Sequence, residues 1–134
     1  MLASSLQLVE DALDRIGGLD ALWVYGSQAT GNTTPSSDVD LAALFTRRPA
    51  PEALVCARAE IEGILGRAVD LLDLEPVSPV LAMQALRHGK LVVDRGPRHR
   101  VLFMTYLPGR YEDVMDLRRP VERLLRARLA HGRA

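Results

Sequence analysis

Two aspartates one residue apart, Asp38 and Asp40, stand at the head of an apolar run, Val39-x-Leu41-Ala42-Ala43-Leu44-Phe45. In a strand, residues i and i+2 point to the same face, so the two carboxylates project side by side. Carboxylates that close repel and raise each other's pKa unless a cation lies between them. Hard oxygen ligands of this kind suit Mg²⁺, which is held by one or two carboxylates together with substrate phosphates. Ten residues upstream of the pair, a second apolar run ends in Gly26-Ser27. Glycine allows close approach of the backbone to a ligand, and Ser27 offers a hydroxyl and an N–H at an expected helix start. The stretch from Val24 to Leu44 therefore reads as a metal–nucleotide site, with Gly26 and Ser27 on the phosphates and Asp38 and Asp40 on the metal.

The surrounding elements are set by hydrophobic periodicity. Leu6, Val9, Leu13 and Ile16 are spaced as one face of a helix over 4–16, capped by Ser4 or Ser5 and stopped at Gly17-Gly18. Residues 21–25 form a short buried strand, with Trp23 and Tyr25 on one face as core or rim packing. A short helix at 27–31 and a polar loop at 32–37 lead into the second strand, 38–45. Pro51 suits the first turn of a helix over 52–66, with Leu54, Val55, Ala57, Ile61, Ile64 and Leu65 toward the sheet and Cys56 as a small packing residue. A third strand covers 68–74. It carries Asp70 and Asp73, which, three apart, point to opposite faces, so only one of them can join the site. Asp70 lies in the more apolar part and is the stronger candidate. A helix over 79–88, a fourth, edge-type strand at 90–94 and a helical tail from about 97 to 131, interrupted at Pro108-Gly109 and at Pro120, complete the chain. His88 suits a helix C-terminus, and Lys90, the one lysine, suits a solvated strand start.

The totals narrow the class. A chain of 134 residues is long enough for one domain with a real core. No run approaches the length of a membrane span, and the N-terminus has no basic region followed by a continuous apolar stretch. One cysteine excludes an internal disulfide framework and fits a cytoplasmic location, and the spacings of zinc sites are absent. The zero net charge conceals an asymmetry: residues 1–86 carry −7 and residues 87–134 carry +7. Such a split points to an acidic partner or a polyanion at the basic end, or to a merely solvated arginine face. The tail also mixes Met and Tyr with Arg, a composition enriched at interfaces, and holds more apolar residues than a four-stranded sheet can cover.

The segment GSQATGNTTPSSDVDLAAL (26–44) resembles the signature of polymerase-beta-like nucleotidyltransferases: Gly-Ser, ten residues, Asp-x-Asp, with Ser37 before the first Asp and Leu41 after the second. It is most similar to their smallest branch, the minimal nucleotidyltransferases that act as antitoxins beside HEPN-domain toxins. The resemblance extends through AVDLLDL (68–74) and LAMQALRHGKLVVDR (81–95), and departs at Thr30, where relatives often carry Arg. It implies an α+β nucleotidyltransferase fold, with a small mixed sheet of about four strands flanked by helices, and it places the third carboxylate at Asp70. It further implies two Mg²⁺ ions held by Asp38, Asp40 and Asp70, with ATP as substrate. AMP would pass to a hydroxyl, a tyrosine's by resemblance, on a partner HEPN ribonuclease toxin, which the modification silences. No membrane and no direct nucleic-acid contact is expected. The alternative from a different class is an antitoxin that neutralises by occlusion alone.

Overall fold

The computed structural model describes residues 3–26 and 38–131; the short helix and loop expected at 27–37, Ser27 included, lie outside them. The first helix, α1 (Ala3–Gly17), ends where Gly18 takes a left-handed φ of 73°, a conformation that favours glycine. The chain then runs through β1 (Leu19–Tyr25) and, beyond residue 37, β2 (Val39–Phe45). Helix α2 (Pro51–Leu65) has Pro51 in its first turn and closes on Gly66 at φ 65°, whose N–H bonds back to the Glu62 carbonyl. Strand β3 (Val69–Asp73) follows. Helix α3 (Pro79–His88) is capped by Ser78, whose hydroxyl accepts from the Val80 N–H at 3.2 Å. Strand β4 (Lys90–Asp94) leads into α4 (Pro97–His131).

The four strands form one mixed sheet in the order β3-β2-β1-β4. β1 is antiparallel to both β2 and β4, whereas β2 and β3 are parallel and joined through α2. Each face has its own core. Leu22, Val24, Leu41, Ala43, Phe45, Val69 and Val93 on one face pack under Val9, Ala12 and Leu13 of α1 and Ala57 and Ile61 of α2. Ala21, Trp23, Ala42, Leu44 and Leu74 on the other face pack under Ala82 and Ala85 of α3 and Leu107 of α4. Leu13, Leu22, Leu41, Leu44, Ile61 and Leu74 are almost wholly buried, each contributing about 1.5–3 kcal/mol of apolar burial. Gly89, after α3, lets this layer sit close, since a Cβ there would stand 2.7 Å from the Ala85 carbonyl and 3.4 Å from Trp23.

Three expectations are corrected. Val55 does not face the sheet and Cys56 is not a packing residue: Val55 is 62% exposed and Cys56 is exposed, because Leu54, Ala57 and Ile61 already fill the inward stripe of α2. The tail is not interrupted, for α4 runs as one helix through Pro108 and Pro120. The carbonyls those prolines leave without donors belong to Met104 and Asp116, both exposed, so water can take the missing bonds. The packing of Phe103 and Leu107 on the α3 side also holds the helix across Pro108.

Candidate active site

The cross-strand register assembles the site. Tyr25 on β1 pairs with Asp40 on β2, and Asp40 pairs with Asp70 on β3. Paired residues share a face, so one row at one end of the sheet reads Tyr25, Asp40, Asp70. The row continues the face of Trp23 and Ala42, under α3 and α4. Asp38 stands just ahead of β2, exposed, and its charge reaches Asp40. Asp73 lies three residues beyond Asp70 and so on the opposite face, where it is 8% exposed and lines a cavity of about 70 Å³ with Phe45, Thr46, Arg48 and Glu75.

Gly26 turns directly over this row. Its φ is 70°, and a Cβ at this position would collide with Asp40 Oδ2. The sequence suggests Gly26 as a point where backbone approaches a phosphate; within the described residues, the group that approaches it is the Asp40 carboxylate. Glycine is required there by conformation and by space together.

The electrostatics are one-sided. Burial first, then the neighbouring charges of Asp70 and Asp38, push the Asp40 carboxyl above its ordinary pKa. Tyr25 is pushed up to about 12 by burial first and then by the negative charges of Asp70 and Asp40. Among the described residues, the ion pairs do not involve Asp38, Asp40 or Asp70. Residues 27–37 contain no Lys, Arg or His. The described residues also hold no group of three or more His, Cys, Asp or Glu side chains already drawn together for a metal ion. The donor chemistry nonetheless fits a divalent cation: hard oxygens, with Asp40 destabilised by its neighbours and no ion pair to them among the described residues.

Two polar side chains escape a reading of the sequence. Tyr25 reads there as core or rim packing, and its place in the row of Asp40 and Asp70 depends on strand order. His99, in the first turns of α4, bonds through Nδ1 to Asp20 Oδ2 at 2.6 Å and through Nε2 to Glu75 Oε1 at 2.5 Å, at the opposite end of the sheet. Partners 79 residues apart leave no local signal. Lys90 is exposed at the start of β4, and His88 is exposed at the end of α3.

This sheet, with paired acids on neighbouring strands after the turn at Gly26, is a nucleotidyltransferase arrangement. The polymerase beta nucleotidyltransferase family model matches residues 8–98, and the chain belongs to that family. No curated relative matches the sequence. Among solved structures the fold is similar to a toxin–antitoxin with AMP-PNP, at 22% identity and TM-score 0.81 over 93% of this chain and 98% of that one. It is similar to the toxin–antitoxin MntA–HpeT carrying two Asp-to-Glu substitutions, at 21% identity and TM-score 0.76 over 90% and 97%. A third likeness, at 23% identity and TM-score 0.71 over 89% and 97%, is to the tri-AMPylated Shewanella oneidensis HEPN toxin in complex with MNT antitoxin. Among the described residues, no helix is long and apolar enough to cross a membrane.

Proposed function

We propose that this protein is an antitoxin nucleotidyltransferase that moves AMP from ATP to a hydroxyl, a tyrosine's, on a partner HEPN toxin. The observation that carries the reading is the row Asp40–Asp70 with Asp38 just ahead of it, three acids at one end of the sheet with no ion pair among the described residues. The likeness to complexes described as a toxin–antitoxin with AMP-PNP and as a tri-AMPylated HEPN toxin with MNT antitoxin supports the substrate and the partner.

In this reading Asp38, Asp40 and Asp70 would hold two Mg²⁺ ions, and Gly26 and Ser27 would orient the β- and γ-phosphates. Bound Mg²⁺ supplies charge stabilisation for the migrating phosphoryl group and the departing pyrophosphate. Asp70, the most open of the row, accepts the proton of the acceptor hydroxyl. The acceptor oxygen bonds to the α-phosphorus, the bond from that phosphorus to the bridging oxygen breaks, and pyrophosphate leaves.

The acceptor arrives on another chain, and the free half of α4 is suited to receive it. Every residue from 116 to 130 is exposed. Leu117, Val121, Leu124, Leu125 and Leu129, between 55% and 77% exposed, alternate there with Arg118, Arg119, Arg123, Arg126 and Arg128. An apolar stripe of this length on a helix is a mark of a protein contact.

The test is incubation with ATP, Mg²⁺ and the HEPN protein of the neighbouring reading frame, followed by intact-mass measurement. Addition of one or more AMP units to the toxin is expected with the wild type, and none with Asp38→Asn. An unmodified toxin that wild type and Asp38→Asn neutralise equally would establish occlusion instead. Arg123→Glu and Arg126→Glu should weaken toxin binding and flatten its salt dependence; unchanged affinity in both places the interface elsewhere.

A further inference from the structure

We propose that the free half of α4 docks an amphipathic, acidic helix of the toxin along a seam that continues the helix's own sheet-packing face, so that the bound segment lies at the acid end of the sheet. The inference deepens the nucleotidyl-transfer reading above and rests on it, giving the partner surface a chemistry and a place.

The direction of α4 fixes the place. The helix starts at the end of the sheet away from the acid row: the Arg95 and Gly96 N–H groups bond to the Asp20 carbonyl at 2.7 and 2.8 Å, and His99 meets Asp20 and Glu75. It then runs back across the sheet, packing through Phe103 and Leu107. Leu107 and Pro108 line a cavity of about 220 Å³ with Met83, Leu86 and Arg87 of the C-terminal half of α3. That half of α3 is at the acid end, since Gly89 beyond it lies against Trp23, two residues before Tyr25. With a rise of 1.5 Å per residue, Leu117 stands about 15 Å farther along than Leu107. The helix has by then run past the sheet, which is why every residue from 116 to 130 is exposed.

The exposed stripe is the packing face continued. Counting on from Phe103 and Leu107 by three and four residues gives Arg110, Val114, Leu117, Val121 and Leu124. Steps of three and four stay on one face of a helix. The face drifts by about 20° per heptad, which brings Leu125 in beside Leu124. Val114 is still half-buried, and beyond it no described residue covers the seam. The packing face of α4 looks onto the side of the sheet that carries Trp23, Ala42 and the row Tyr25, Asp40, Asp70. A segment held by the overhanging seam therefore lies on the acid row's side of α4.

Spacing and charge select the occupant. An apolar repeat of three and four is the pattern that receives a second helix, knobs into holes. Arg110 and Arg128 stand in the seam itself, and Arg118 borders it one heptad before Leu125. None of the three has an ion pair among the described residues. The carboxylates of Glu112 and Asp116 lie instead with Arg119, on the opposite face. A second copy of this chain is a poor occupant, because arginine would meet arginine in either direction of pairing: Arg110 on Arg110 when parallel, Arg110 on Arg128 when antiparallel. The seam fits a helix with apolar residues at the same spacing and Asp or Glu beside them.

Two measurements with the HEPN protein of the neighbouring reading frame test this. The double change Leu117→Gln and Leu124→Gln removes apolar surface from the seam and keeps both charge and helix propensity. It should weaken toxin binding about tenfold or more by titration calorimetry, with the salt dependence kept. The thermal midpoint of the free protein should stay near that of wild type, because both side chains are exposed. Binding equal to that of wild type would overturn the seam as the docking face. In the second measurement, photoreactive benzoylphenylalanine replaces Val121. It should cross-link to a toxin helix that is apolar at three–four spacing, carries Asp or Glu, and lies next to the hydroxyl that receives AMP. A cross-link to a second copy of this chain, to a basic toxin surface, or to a surface remote from the modified hydroxyl would overturn the occupant or its place. A protein that cross-links to the acidic helix yet adds no AMP to the toxin would overturn the nucleotidyl-transfer reading and leave the docking seam standing.

Discussion

The two ends of the sheet both gather carboxylates, and they treat them in opposite ways. At the end where α4 begins, each acid is answered. Asp20 accepts from Thr46 Oγ1 at 2.8 Å and from His99, whose other nitrogen meets Glu75. Arg100 pairs with Asp94 at 2.9 Å, and Arg95 lies 3.4 Å from Asp14 and 3.5 Å from Glu10. At the end where Gly26 turns, Asp40 feels the charges of Asp70 and Asp38, and among the described residues none of the three acids has an ion pair. Acids matched within the chain hold the fold together. Acids left unmatched raise the folded state's free energy and are answered only by something that binds.

Neutralising an unmatched acid should have the largest effect. Asp40→Asn should lower AMP transfer at least about 10²-fold, by analogy with removal of a principal charge-stabilising group, as read by intact mass of the toxin. Without Mg²⁺ its thermal midpoint should hold or rise slightly, because the neutral amide escapes the burial and the repulsion that push the Asp40 carboxyl upward. A fall in midpoint as large as that of a core substitution would mean that Asp40 serves the fold, and would erase the contrast between the ends.

How much of this was legible in sequence follows from how far each signal reaches. The Gly-Ser motif, the Asp-x-Asp pair and the period of α1, α2 and α3 are local, and the described elements lie where the periodicity puts them to within two residues. That Asp70 and Asp73 part to opposite faces is also local, since it needs only the two-residue period of a strand. Pairing of Asp70 with Asp40 is not local, because it depends on the parallel register of β2 and β3 set by α2 between them. Tyr25 reads as packing for the same reason: the carboxylates of its row lie on other strands. The prolines of α4 mislead for another cause. Proline's cost in a helix depends on whether the orphaned carbonyl is buried, and sequence does not give that burial.

A middle-sized effect belongs to the matched end. Burial lowers the pKa of His99, but its hydrogen bonds to Asp20 and Glu75 and their charges outweigh this, and the net direction is upward. A histidine raised in the folded state stabilises it fully below the unfolded value near 6.5, and that contribution fades as pH rises through the folded value. His99→Gln should therefore cost about 1 kcal/mol at mildly acidic pH, a modest figure because the ring and Glu75 are partly exposed and screened. The difference between variant and wild type should shrink as pH climbs past the folded pKa, as read by chemical denaturation at a series of pH values. AMP transfer should not change. A loss of stability that is constant across pH would mean that His99 acts by packing.

The smallest effect comes from the same aspartate-to-asparagine change made at Asp73. Asp73 is three residues from Asp70, is more buried, and has its carboxyl pushed up chiefly by that burial. It differs in being served: the Glu75 N–H bonds to it and Arg48 lends it positive charge, both of which lower its pKa, although the Glu75 charge raises it. Asn at this position keeps an oxygen for the Glu75 N–H and removes the charge whose burial is unfavourable. Asp73→Asn should therefore leave AMP transfer unchanged. The net upward shift means that the fold favours the neutral carboxyl, so wild type should gain stability as pH falls through the folded pKa, toward the unfolded value near 3.9. The asparagine variant should lack that gain and match or slightly exceed wild type at neutral pH, where the amide already supplies the neutral group. Melting curves of both proteins from neutral to mildly acidic pH, beside the toxin mass measurement, decide the matter. If Asp73→Asn silenced transfer as Asp40→Asn does, matched and unmatched acids would not divide structure from function here, and the third carboxylate would belong on the α1–α2 face.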